Sequence, residues 1–408
     1  MADAPQLPSS PMPPATPTVP ATARTTLVAL CRAGFEPEAA ADLRQIAAAT
    51  GTTLAADGPS GRGFVVARPA YFAPAKWARA LDASAPVFVR SLFVGSGPHP
   101  LLDLGGDGAR PDRVAPLVAL CAALHAESPL ADGADGPPFG ALRLEYADTN
   151  DGKQMTALCR ALAGPLAQAL RDRGLLVAGN GDESNETAGA DASGSATPCA
   201  HVLLVDGATA FVGLSLPPWT SAWPMGIPRI AMPGAAPSRS TLKLAEAFAA
   251  FLGPREPQLL RAGMRAVDLG AAPGGWTWQL AHRGLRVTAV DNGPLKGAVA
   301  VDPLVAHVTA DGLKYRPQRP VDWMVCDIVD QPARIATLVG EWLAQGHARS
   351  MIFNLKLPMK KRHAEVLRCA AIIADAARAA GVPYSLALRQ LYHDREEVTG
   401  YCTATRRR

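Results

Sequence analysis

The tightest constraint in this 408-residue chain is the segment Asp268-Leu-Gly-Ala-Ala-Pro-Gly-Gly-Trp276, which follows the apolar residues Ala266 and Val267. An apolar run, a turn crowded with Gly and Ala, and then helix-forming residues read as strand, tight turn and helix. Small residues let a ligand approach the backbone, and the helix that follows offers its N-terminus. The dinucleotide-binding pattern G-x-G-x-x-G spaces its glycines differently. Here they fall at 270, 274 and 275, with Pro273 inside the turn, which disfavours a nicotinamide enzyme.

The same texture continues from Ser240 to the end. Strand-like runs at Arg286–Val290, His307–Ala310, Val321–Cys326 and Met351–Leu355 end at Asp291, Asp311, Asp327 and Lys356. A helix is predicted over about 361–380, and two closing strands near 383–391 and 398–404. Repeated strand–helix units predict a mostly parallel sheet with helices on both faces, and ligands at the C-terminal strand ends. Asp268, Asp291, Asp311, Asp327 and Lys356 all fall at such ends.

The preceding half has a looser texture. Residues 1–24 are nearly all Pro, Ala, Ser and Thr and are expected to be disordered. Strands are predicted at Thr26–Cys31, Gly63–Ala67, Leu142–Tyr146, His201–Val205 and Ala210–Leu214. Helices are predicted after Glu36, over 112–127, and as one long amphipathic element from about Gly152 to Arg173. Residues 174–199 lack Lys and Arg and read as a flexible insertion. A domain division follows: a tail at 1–24, an α+β region at 25–220, a linker at 221–237 and an α/β domain at 238–408.

Apolar residues make up 48% of the chain and charged residues 19%, which describes a globular protein. No apolar run approaches the ~18–20 residues of a membrane span, and the N-terminus lacks the pattern of a signal peptide. Seven scattered cysteines without a C-x-x-C pair argue against a disulfide framework or a metal site and favour reduced thiols in a cytoplasm. Charge is uneven. From Pro233 onward 24 Lys and Arg face 15 Asp and Glu, a net of +9, although the whole chain carries only +4. A polyanion would bind that half, although an ordinary solvated surface explains the charge equally well.

Several side chains are candidates for chemistry. Asp291 is placed to meet a ribose diol and Asp311 an adenine amino group; each also suits a strand-end turn. Ser240 opens a helix as a natural N-cap, with Lys243 one turn in. Lys356 terminates an apolar strand at the ligand crevice, where a purely structural lysine is hard to explain. Lys360, Lys361 and Arg362 form a basic cluster fit for phosphate contacts or for a solvated helix start. His393, in a loop, invites a base role but is more often structural. Glu397 begins the final strand.

Pro237-Ser-Arg-Ser-Thr-Leu-Lys-Leu244, the turn at 268–276, Cys326-Asp327, Asn354-Leu-Lys-Leu357 and Arg395-Glu-Glu-Val398 together resemble the FtsJ-like ribose methyltransferases. That resemblance is strong after residue 220 and extends more loosely back to about residue 25. It implies a Rossmann-like methyltransferase domain with a seven-stranded, mostly parallel sheet and an antiparallel last strand. It implies S-adenosyl-L-methionine as cofactor, held by Ser240, Ala272, Pro273, Gly274, Gly275, Asp291, Asp311 and Asp327. The family's Lys-Asp-Lys-Glu tetrad maps onto Lys243, Asp327, Lys356 and Glu397, with Glu396 as the alternative last member, and Lys356 as proton acceptor. Asn354-Leu-Lys-Leu-Pro-Met-Lys-Lys-Arg362 and Gln390-Leu-Tyr-His-Asp-Arg-Glu-Glu-Val398 are most similar to members that methylate one cytidine 2'-hydroxyl of 23S rRNA. For those members the N-terminal half is a THUMP-type RNA-binding module, and the substrate is naked or early precursor RNA met by a lone chain. The alternatives are 2'-O-methylation of another RNA and a small-molecule O-methyltransferase.

Overall fold

All six residues of Thr26–Cys31 are buried, so this strand needs cover on both faces and neighbours on both edges. The computed structural model of the protein describes residues 25–102, 112–127, 137–177, 197–216 and 219–405. In it β1 (Thr26–Cys31) lies between β3 (Phe64–Pro69) and β4 (Val89–Pro100), antiparallel to both. With β2 (Leu54–Asp57), β5 (Ala141–Tyr146), β6 (Cys199–Leu204) and β7 (Thr209–Ser215) the strand order is β2-β3-β1-β4-β7-β6-β5. Only the β5–β6 pair is parallel, and the helix Thr156–Asp172 lies between them in sequence.

β4 escapes inspection of the sequence because Gly95, Gly97, Pro98 and Pro100 punctuate it like a loop. The strand persists because its register against β7 shifts between Ser96 and His99, and the Gly97-Pro98 pair sits in that irregularity. β2 and the helix Pro74–Ala83 were likewise not anticipated. The long helix expected from Gly152 to Arg173 is two elements, Asn150–Lys153 and Thr156–Asp172. The Thr149 hydroxyl accepts the Gly152 N–H and caps the first, and the Thr156 hydroxyl donates to the Lys153 carbonyl at 2.6 Å. The tail at 1–24 and most of the insertion at 174–199 lie outside the described residues; Cys199 already belongs to β6.

The second sheet has the order β10-β9-β8-β11-β12-β14-β13. Its strands are β8 (Arg265–Leu269), β9 (Arg286–Val290), β10 (Val305–Val308), β11 (Val321–Cys326), β12 (Ala348–Lys356), β13 (Tyr384–Arg389) and β14 (Glu397–Ala404). β8 to β12 pair in parallel, and β14 runs antiparallel to both β12 and β13. This is the mixed α/β sheet expected, antiparallel last strand included. β10 begins and ends two residues earlier than its sequence suggests. It is an edge strand, and its pairing stops at Val308 opposite Val290, where β9 ends. The order reverses between β8 and β11, so the ligand crevice opens there, above the C-terminal ends of those strands. No helix among the described residues is long and apolar enough to cross a membrane.

The two halves share a core. One apolar cluster runs from Leu27, Phe35 and Trp77 to Met324, Phe353 and Val366. At its edge Arg362, expected to serve phosphate or solvent, turns to the N-terminal half instead. Its Nε donates to Glu38 at 3.0 Å, one terminal nitrogen donates to the Gly34 carbonyl at 2.8 Å, and its guanidinium lies 3.8 Å from the centre of the Phe35 ring. Arg362→Ala is expected to lower the free energy of unfolding by about 2 kcal/mol, the scale of hydrogen bonds to a charged group. Urea denaturation checks this, and an unchanged midpoint would deny Arg362 that role.

Candidate active site

Register assembles the site. β11 and β12 pair in parallel with Cys326 opposite Phe353, so Asp327 and Asn354, the next residue on each, emerge together. β12 and β14 pair antiparallel with Lys356 opposite Glu397 and Asn354 opposite Thr399. Alternation puts Asn354 and Lys356 on one face of β12, and Thr399 and Glu397 on the matching face of β14. Lys243 reaches the same point from the helix Thr241–Phe251.

The four charged groups interlock. Lys356 Nζ lies 2.5 Å from Asp327 Oδ1 and 2.9 Å from Glu397 Oε1. Lys243 Nζ lies 2.6 Å from Glu397 Oε2 and 3.7 Å from Asp327 Oδ2. Each lysine therefore meets both acids. The side chains are 15–18% exposed, so solvent still reaches the array while screening it weakly. Burial pulls the Lys356 ammonium down, but Asp327 and Glu397 outweigh it and hold its pKa above the usual lysine value. Glu396, the alternative tetrad member, is instead 53% exposed and accepts from Arg362 at 3.0 Å.

Beside this array lies the glycine turn. Gly274 has φ +113° and Gly270 φ +79°, conformations that suit glycine. A Cβ on Gly274 would sit 2.5 Å from Val299 Cγ1, and one on Gly275 would sit 2.3 Å from Ser240 Oγ. Ser240 precedes the helix but its hydroxyl caps nothing; it pairs with Ser238 Oγ at 2.7 Å, facing the turn. Asp291 Oδ2 accepts the Ala272 N–H at 3.0 Å and its Oδ1 accepts the Gly293 N–H at 2.7 Å. It thus braces the turn at Ala272 and Pro273. Asp311 is exposed, accepts the Leu313 N–H at 2.9 Å and lies 3.7 Å from Lys314, the turn-forming arrangement that its sequence also allowed.

Asp268 was read as part of the turn motif and as one of the strand-end residues. It is fully buried; Thr277 donates to its Oδ2 at 2.6 Å, while Oδ1 has no partner among the described residues. Burial raises its pKa to about 7. His393 is structural: Glu246 accepts its backbone N–H at 2.8 Å and meets its Nδ1 at 2.6 Å. Among the described residues no group of three or more His, Cys, Asp or Glu could hold a metal, and all seven cysteines are free and buried. A cleft of about 960 Å³ between the two halves runs up to Lys243 and Glu397, with Arg32, Lys153, Arg239 and Arg395 on its walls.

Residues 236–375 match the family model of FtsJ-like methyltransferases, and residues 112–216 match that of the N-terminal region of ribosomal RNA large subunit methyltransferase M. The chain is 44% identical to ribosomal RNA large subunit methyltransferase M of Thauera aminoaromatica, over 93% of this chain and 96% of that relative. It is 45% identical to the Aromatoleum aromaticum protein of the same name, over 92% and 94%, and 43% identical to that of Methylococcus capsulatus, over 93% and 98%. Register, charge array and these relatives converge: the chain belongs to the ribosomal RNA large subunit methyltransferase M family, with an FtsJ-like methyltransferase domain at its C-terminal end.

Proposed function

We propose that the protein transfers a methyl group from S-adenosyl-L-methionine to the 2'-hydroxyl of one cytidine of 23S rRNA. The observation that carries this reading is the interlocked Lys243, Asp327, Lys356 and Glu397 array at the mouth of the crevice. A ribose hydroxyl is a poor nucleophile near neutral pH and needs a group that orients it and takes its proton. A small phenolic or carboxylic acceptor would not need two lysines.

The turn suits the cofactor because glycine keeps its backbone bare and closely packed. A Cβ at Gly274 would collide with Val299 and one at Gly275 with Ser240 Oγ, so the turn holds its shape with no side chain of its own at those two positions. Ser240, the 272–275 turn and Asp327 would hold the cofactor, with Asp291 keeping the turn in shape and Asp311 at its rim. The unpartnered Asp268 oxygen would suit a cationic amine. When bound, S-adenosyl-L-methionine supplies a sulfonium methyl that needs no further activation. Neutral Lys356 Nζ would take the hydroxyl proton, and Lys243 would help to neutralise the acids that face it.

Because Asp327 and Glu397 favour the ammonium form of Lys356, only a small fraction is free to accept a proton at neutral pH. The rate is therefore expected to climb with pH through the neutral range, close to tenfold per unit, and not to level off near pH 7. Lys356→Arg keeps the charge but does not give up a proton. It is expected to lose roughly 100- to 10,000-fold in kcat with cofactor affinity intact. Isothermal titration with S-adenosylhomocysteine and a single-turnover methylation assay separate the two, and near-normal turnover in the Arg variant would contradict the assignment.

RNA would lie along the inter-half cleft, guided by Arg32, Lys153, Arg239 and Arg395 and by the basic C-terminal half. The N-terminal half would act as the THUMP-type module that selects the site. The substrate in this reading is naked or early precursor rRNA, met by a single chain. Gly274→Val places a branched side chain against Val299 at a positive φ. It is expected to weaken S-adenosylhomocysteine binding at least about 100-fold, as overpacking of this size costs a few kcal/mol, while binding of rRNA by gel shift stays unchanged. Equal loss of both would point to unfolding.

A further inference from the structure

Beneath the charge array lies a chain of buried polar groups that the proposed chemistry has not used. Asn354, Thr399 and Asp394 are all fully buried. Asn354 Nδ2 donates to Asp327 Oδ1 at 3.0 Å and to Glu397 Oε2 at 3.1 Å. Both amide hydrogens are therefore spent on the two acids. That orientation is forced, because an amide oxygen facing two carboxylates would be repelled. Its Oδ1 then points away from the array, 2.8 Å from Thr399 Oγ1.

The proton count now reaches Asp394. Thr399 Oγ1 also lies 2.9 Å from Asp394 Oδ2 and 3.2 Å from Asp394 Oδ1. A hydroxyl has one hydrogen. If it serves Asn354, the contact with Asp394 is favourable only when the carboxyl group donates. Asp394 Oδ2 accepts the Leu391 N–H at 3.0 Å, which leaves Oδ1 to carry the hydrogen.

We propose that Asp394 is a positioning residue for methyl transfer: as a neutral acid it donates to Thr399, Thr399 donates to Asn354, and Asn354 fixes Asp327 and Glu397 around Lys356. The charged groups facing it agree. Burial is the largest influence on Asp394, and Glu397 from β14 and Glu246 from the helix Thr241–Phe251 add to it, against the Leu391 N–H and Thr399, for a pKa of about 8. Glu246 is itself engaged by Tyr392 N, His393 N and His393 Nδ1. No cation approaches Asp394 within salt-bridge distance among the described residues. Above that pH the carboxylate recaptures the Thr399 hydrogen, and the Asn354 oxygen is left without a donor.

This inference rests on the methyltransferase reading, and its test separates the two. Asp394→Asn mimics the neutral acid, with its amide nitrogen donating to Thr399 and its oxygen accepting from Leu391. Single-turnover methylation of rRNA would be measured for wild type and Asp394→Asn between about pH 6.5 and 9.5. The ratio of variant to wild-type rate is expected near one at the acid end. It is expected to rise roughly tenfold one unit above the titration of Asp394, where about a tenth of the wild type keeps the proton. A ratio that stays flat would overturn the proposal while leaving the methyltransferase reading intact; no methylation by wild type would overturn that reading itself. Thr399→Val gives an independent check. It should lower kcat about 10- to 100-fold with the KM for rRNA unchanged, and Thr399→Ser should restore it. Wild-type kcat in Thr399→Val would also overturn the proposal.

Discussion

The antiparallel pairing of β12 and β14 governs everything at the crevice. Parallel strands all deliver their C-terminal ends to one side of a sheet, so five parallel strands supply Asp268, Asp291, Asp327 and Lys356 there but no residue from a strand start. Reversing β14 brings its first residue, Glu397, to the same edge opposite Lys356. The ring of two amines and two acids closes only because of that reversal. Taking four ions partly out of water costs several kcal/mol per ion, and an isolated pair would scarcely offset it. Here each amine meets both acids, and Asn354 adds two hydrogen bonds to them, so every partner of an ion is itself fixed.

The N-terminal half is joined to that array through the short stretch between β13 and β14. The Gln390 N–H donates to the Val87 carbonyl at 2.8 Å, Arg32 donates to the Tyr392 carbonyl at 3.3 Å, and Glu246 holds the Tyr392 and His393 N–H groups from the catalytic side. The segment that carries Glu397 into place is thus also the segment on which the two halves rest. Within the N-terminal half, the fully buried Glu145 and His201 meet at 2.7 Å, and Arg143 donates to the Ser221 and Trp223 carbonyls. Ser221 and Trp223, in the segment read as a linker, are held to the sheet by the Arg143 contacts. On the proposed function, a cleft whose two walls are fixed in this way would present one rigid surface to RNA phosphates and the reacting ribose.

What the sequence revealed follows periodicity and local chemistry. The C-terminal sheet was legible because each strand is an apolar run that stops at a polar residue, and the turn at 268–276 announces itself by its glycines. The N-terminal sheet was half legible: β4 hides behind Gly95, Gly97 and Pro98, and its irregular pairing with β7 is a tertiary fact that no local pattern carries. Lys243, Asp327, Lys356 and Glu397 were nominated by resemblance, and the structure gathers them within salt-bridge distance. The sequence did not separate Glu396 from Glu397; strand alternation does, since adjacent residues face opposite ways and only Glu397 pairs with Lys356. Arg362 read as a phosphate ligand or a solvated helix-start residue because its partner, Glu38, lies more than 300 residues away. Asn354, Thr399 and Asp394 drew no attention, for their importance is a matter of proton counting in a buried space.

The most direct test of the central claim is the position of the transferred methyl group. Radiolabelled S-adenosyl-L-methionine would be incubated with the protein and protein-free 23S rRNA lacking its modifications, and the product hydrolysed in alkali. A 2'-O-methyl blocks cleavage of the adjacent phosphodiester, so the account requires the label in an alkali-resistant dinucleotide containing cytidine. Label released in single nucleotides would place the methyl on a base and contradict the role assigned to the charge array.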